Sequence, residues 1–159
     1  MLQSFATEIP PTLNEIIRLH GAGRQFDHGG KHYRRSGYSQ AKKYWQQRIA
    51  LEARLHGLQP MDGSVWVHFC WCVRSFGSDP DNVSASAKFI LDGLVQSRIL
   101  GKDSLMVIGS PYTHEFHRAG ANQPPWVLLM LADHPLTAAP DLILPGSLEF
   151  KVPESLRLA

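Results

Sequence analysis

The segment from Ser64 to Arg74, SVWVHFCWCVR, constrains the fold more than any other. Val65, Val67, Phe69, Trp71 and Val73 alternate with Trp66, His68, Cys70 and Cys72, so a strand built from it is mostly apolar on both faces. Such a strand is expected at the centre of a sheet, covered on each side. With 159 residues, 43% of them hydrophobic, the chain has material for one core and too little for two comfortable ones. One domain built around a sheet follows.

Residues 2–9 read as a first strand stopped by Pro10 and Pro11, which cannot donate ladder hydrogen bonds. Residues 12–37 open as a short helix and then turn Gly-rich, basic and His-rich, a pattern that predicts a loop. From Ser39, a ready cap, apolar residues recur at mostly helical spacing until Gly57 can end the run. Lys42, Lys43 and Arg48 would lie off its most apolar side. A second helix is drawn by Val83, Ala87, Ile90, Leu91, Leu94 and Val95, one apolar stripe with Asp81 or Asn82 as cap. GKDSLMVIGSPY predicts a turn and a short strand, and QPPWVLLMLADH a last strand. The expectation is an α+β domain over residues 1–134, a small mixed sheet with helices packed on it, followed by a Pro-punctuated, peripheral extension over 135–159.

Net charge is only +2, but residues 18–54 hold nine Lys and Arg against two acids, a local +7, leaving −5 on the rest. That asymmetry suits a basic surface that meets a polyanion and an acidic site elsewhere; a solvated basic loop is the plainer alternative. Cys70 and Cys72 are the whole cysteine complement. A C-x-C pair lacks the second pair of a zinc motif, and His68 on the same strand face does not make three residues in line converge, so buried free thiols are expected. His114 and His117 in THEFH do not form H-E-x-x-H and read as surface polar residues. Neither a secretory leader nor a membrane span is evident, which predicts a soluble, cytoplasmic protein.

The strand of the opening segment exits through SFGSDPDN. Asp79 and Asp81, two apart in an extended stretch, point to one side just ahead of the helix, and Asp103 lies where the chain must return to the sheet. Carboxylates gathered at one sheet end repel one another unless a hard cation holds them, and oxygen-only ligands favour Mg²⁺ or Mn²⁺. The alternative is that Asp81 only caps a helix and the others only line turns. Calcium-loop, nucleotide-loop and serine-elbow motifs are all missing.

Taken together, Asp79, Asp81 and Asn82, then Lys88 and Asp92 on the following helix, then Lys102 and Asp103, resemble the RusA family of Holliday junction resolvases, particularly its phage and prophage members. That family carries D-x-D-N at a strand exit, a Lys and an Asp four apart on the next helix, and an Asp pair before the following strand. IPPTLN, with Asn14, is similar to its opening P-P-S/T-x-N, so the resemblance runs from about residue 6 to residue 132. It implies a homodimeric, metal-dependent endonuclease that cuts four-way DNA junctions in recombination and repair. On that resemblance Asp79, Asp81 and Asp103 hold Mg²⁺, or Mn²⁺, and Lys88 joins them as a catalytic residue near the scissile phosphate. Asn14, Arg18, Arg34, Arg35, Lys42, Lys43 and Asn82 are the DNA contacts it suggests. Lys102 stands where the family has the first Asp of its pair, and Asn82 and Lys88 are three residues further apart than in the shortest members. A branched-DNA-binding dimer without cleavage, or a small interaction protein, are the competing expectations.

Overall fold

The computed structural model describes residues 1–21, 23–28, 31–109, 112–120 and 122–136, without the side chains of 23–28 and 31–36. The extension expected over 135–159 thus lies almost wholly outside the described residues. The architecture is α+β. A four-stranded mixed sheet is formed by β1 (Leu2–Glu8), β4 (Trp66–Val73), β5 (Thr113–Arg118) and β6 (Trp126–Ala132), in the order β1-β6-β4-β5. β6 is antiparallel to both β1 and β4, while β5 runs parallel to β4 at the edge.

The two-faced apolar strand takes the expected interior place: in β4 every residue from Val67 to Val73 is buried. Period two assigns its faces. Phe69 and Trp71, with Leu129 and Val127 opposite them on β6 and Phe5 beyond on β1, meet Ile49 and Ala53 of α2 (Gly37–Leu55) and Ile90, Leu91 and Leu94 of α4 (Ala87–Gln96) in the main core. The other face carries Ala6, Cys70, Leu128 and Met130, closed in part by Leu136. Cys70 and Cys72 are buried free thiols, as expected.

The residues behind Pro11 differ from expectation. After α1 (Leu13–Gly21) the basic segment expected as a loop forms an antiparallel pair, β2 (Gly23–His28) and β3 (Lys31–Ser36). Its period-two placement of Arg24, Phe26, Tyr33 and Arg35 was obscured by glycines at each end. α2 then starts at Gly37, which puts Ser39 inside the first turn instead of at the cap. At its far end Gly57, at φ 72°, takes the left-handed conformation that terminates helices, and Leu58 N–H reaches back to Ala53 O at 3.0 Å.

The helix predicted across Val83–Val95 is two helices, α3 (Pro80–Ser84) and α4. The break has a tertiary cause: the buried Ser86 hydroxyl lies 2.9 Å from Pro10 O and 3.0 Å from Pro11 O, and the amides of Ser86, Lys88 and Phe89 bond three residues back instead of four. α4 packs tightly on α2. A Cβ on Gly93 would sit 2.6 Å from Ile49 Cβ and 3.2 Å from Gln46 O. Gly93→Ala is therefore expected to destabilise by about 1–3 kcal/mol through overpacking, although alanine gains about 1 kcal/mol in intrinsic helix propensity. A denaturant midpoint lower than wild type checks this; a higher one means that α2 and α4 are not in contact here.

The strand expected after Asp103 is reduced to one isolated bridge, Val65 with Ile108, and a second bridge, Met61 with Leu100, precedes the turn. The fourth strand is instead β5, the THEFHR segment expected to lie on the surface. His114 stacks against Phe69 at 5.1 Å and is 2.9 Å from Trp71 Nε1, which donates to its Nδ1. Burial, with the nearby His68 second, pushes His114 down to about 4, which keeps the ring neutral and able to accept that bond.

Candidate active site

The two sequence segments that suggested a function meet in space at the exit of β4. α1 opens with a capping box: Thr12 N–H donates to Glu15 Oε2 at 2.7 Å. Another first-turn amide, Asn14 N–H, donates to Asn82 Oδ1 at 2.9 Å. Asn82 therefore satisfies an orphan donor of α1, and together with the Ser86 bonds to Pro10 and Pro11 it fixes α1 against the start of α3.

Asp79, not Asp81 or Asn82, occupies the N-cap position of α3, with Pro80 in the first turn. Its backbone carbonyl takes the Asn82 and Val83 amides, but its side chain makes no capping bond. Asp79 and Asp81 are both exposed, and neither carboxylate has a hydrogen-bond or ion-pair partner among the described residues. Beside them a cleft of about 310 Å³ is lined by Thr12, Glu15, Arg74, Ser75 and Ser78, among others.

Behind this pair lies an ion network. Lys88 Nζ is 2.8 Å from Asp92 Oδ1, one helical turn on, and also bonds Asp103. Lys42 of α2 is 2.9 Å from Asp92 Oδ2. The Asp103 and Asp92 carboxylates keep Lys88 above its ordinary value and so fully charged. For Asp92, burial alone would raise the carboxyl, yet the bonds from Lys88 and Lys42 outweigh it and hold the group below its ordinary value. A depressed carboxyl contributes stability that is present above its unfolded value and lost as pH falls through its folded value. Wild type is therefore expected to lose stability between about pH 5 and pH 2 more steeply than Asp92→Asn, a difference read from denaturant midpoints across that range. Parallel curves would mean that the ion pairs do not form.

The structure brings Lys88 and Asp103 together; Asp79 and Asp81 stay outside that network. Among the described residues, the three carboxylates do not form a set with all ligand atoms within 4.8 Å. Mg²⁺ needs no such set, since it is commonly held by one or two carboxylates and keeps several waters. Two unpaired, solvent-facing carboxylates at one strand exit fit a hard cation in donor chemistry.

The suggested DNA contacts divide. Arg18 and Lys43 are exposed and lack ion partners among the described residues, and Lys43 borders a groove along α2 with Ser39, Tyr44 and Gln47. Lys42 is tied to Asp92; Arg48, also expected off the apolar side of this helix, bonds Glu8 and Glu52, each at 2.8 Å, while lying over Trp45. Arg34 and Arg35 lie in β3, with side chains outside the described residues. No helix among the described residues is long and apolar enough to cross a membrane. A scan of the chain against protein-family models finds no match, and a search among curated proteins finds none either.

Proposed function

We propose that this chain is a Mg²⁺-dependent endonuclease, also served by Mn²⁺, that acts as a homodimer to cut four-way DNA junctions. The observation that carries the reading is the unpaired Asp79–Asp81 couple at the exit of β4, backed by a charged Lys88 held between Asp92 and Asp103. The interlock of the IPPTLN and DPDN segments through Asn14 and Asn82 also supports it.

Asp79 and Asp81 would hold the cation. The chemistry it would supply there is a water made acidic enough to attack phosphorus and neutralisation of charge on the phosphate. Lys88 offers a fixed cation to charge developing on the phosphate oxygens, and its two carboxylate partners set its position before DNA arrives. Asp103, the third suggested ligand, serves this reading by holding Lys88. Exposed Arg18 and Lys43 suit backbone phosphates, and binding should fall steeply with salt.

A second reading, junction binding without cleavage, is favoured by one feature: Lys102, exposed, stands beside Asp103 in place of a second acid. Both are tested by incubating the protein with a labelled four-way junction and with matched duplex, in Mg²⁺ and in chelator. Strand cleavage confined to the junction with Mg²⁺ is expected. Binding without cleavage supports the second reading, and equal affinity for duplex and junction contradicts both.

A further inference from the structure

The second face of the sheet carries a group of side chains for which junction cleavage has no use. β4 and β5 run parallel with His68 opposite Thr113, Cys70 opposite Glu115 and Cys72 opposite His117, so period two sends all six to one face. The ligand atoms of Cys70, Glu115 and His117 all lie within 4.8 Å of one another. His117 Nε2 and His68 Nε2 are each 3.5 Å from Glu115 Oε2. His68 is only 2% exposed; its Nδ1 pairs with Thr113 Oγ1 at 2.7 Å, while its Nε2 has no hydrogen-bond partner among the described residues. A buried ring nitrogen without a partner is costly and calls for one.

We propose that His68 Nε2, Cys70 Sγ, the Glu115 carboxylate and His117 Nε2 form a site for a borderline-soft divalent cation, Zn²⁺ above all, that clips the edge strand β5 to β4.

Bond lengths decide the fit. With Zn–N near 2.0 Å and Zn–S near 2.3 Å, a tetrahedron places its donor atoms roughly 3.3–3.8 Å apart. The two 3.5 Å separations from Glu115 lie inside that range, and Cys70, Glu115 and His117 already lie within 4.8 Å of one another, while His68 stands outside that set; binding therefore has to draw the His68 and His117 rings in around Glu115 and bring the Cys70 sulfur closer by about 1–1.5 Å. Thr113 supplies what zinc-binding histidines usually have, an oxygen on the other ring nitrogen that fixes tautomer and orientation. Sulfur and imidazole select against Mg²⁺, so this site and the proposed carboxylate site would not compete for one metal. Four protein ligands leave no open position, which makes the role structural. Binding displaces the Cys70 thiol proton to solvent. Entry is open, because the Glu115 and His117 side chains are 47% and 40% exposed.

The test is titration of the untagged, metal-free, reduced protein with Co²⁺, followed by absorption. Expected is one Co²⁺ per chain, with the strong visible bands of a four-coordinate ion and a thiolate-to-cobalt charge-transfer band, displaced by Zn²⁺. Cys70→Ser should lose the charge-transfer band and Cys72→Ser should keep it. Glu115→Gln and His117→Gln, at half-exposed positions that leave the fold intact by circular dichroism, should each weaken binding at least tenfold. Thr113→Val should weaken it by roughly ten- to a hundredfold. The proposal is overturned if no saturable binding occurs, if the charge-transfer band follows Cys72 instead of Cys70, or if Glu115→Gln and His117→Gln both bind like wild type.

Discussion

Asp81→Asn is expected to bind a four-way junction about as tightly as wild type and to cleave it at least about a hundredfold more slowly. The substitution keeps size and helix start but removes the negative charge from one of the two unpaired carboxylates at the start of α3. Because Asp81 is exposed and its side chain holds nothing among the described residues, stability should stay within about 0.5 kcal/mol of wild type. Loss of cleavage can then be attributed to the site. Single-turnover cleavage with saturating protein separates the rate from binding. An unchanged rate would remove Asp81 from the catalytic group and leave it a first-turn helix residue.

Trp71→Ala has the largest expected effect on folding. Trp71 is fully buried at the centre of the sheet, stacked on Phe69 at 5.3 Å, and its indole N–H donates to His114. Truncation leaves a cavity against α2 and α4 and takes away the donor that His114 was positioned to accept. The combined loss is expected to be about 3–5 kcal/mol, a large share of a domain's stability of about 5–15 kcal/mol. Denaturant unfolding of wild type and variant measures it, and a loss below about 1 kcal/mol would contradict the placement of β4 as the central strand.

What could be read in advance followed from local pattern. β4 was legible because both of its faces are apolar, and α4 because its stripe continues through Leu94. The break at Ser86 was not legible, since its cause is a pair of carbonyls 75 and 76 residues away in sequence. β5 was missed for a similar reason. THEFHR carries few apolar residues, and only its parallel partner β4 and the Trp71 indole make a strand of it. The same pairing explains why Glu115 and His117 went unnoticed beside Cys70: three ligands on one strand do not converge, but two strands in register bring Cys70, Glu115 and His117 together. Of the carboxylate site, the spacing of Asp79, Asp81, Asn82 and Lys88 was visible. The engagement of Asp103 by Lys88, and of Asp92 by Lys42 from another helix, required the fold.

The most direct test of a dimer that cuts junctions in pairs uses a supercoiled plasmid carrying an extruded cruciform, incubated with the protein in Mg²⁺. A single nick relaxes the plasmid and abolishes the cruciform, so only two cuts made within one bound complex yield linear DNA. The expected result is linear product from the start of the reaction, dependent on Mg²⁺ and missing with Asp81→Asn. Nicked circles alone, or no cleavage at protein concentrations that saturate the cruciform, would contradict it.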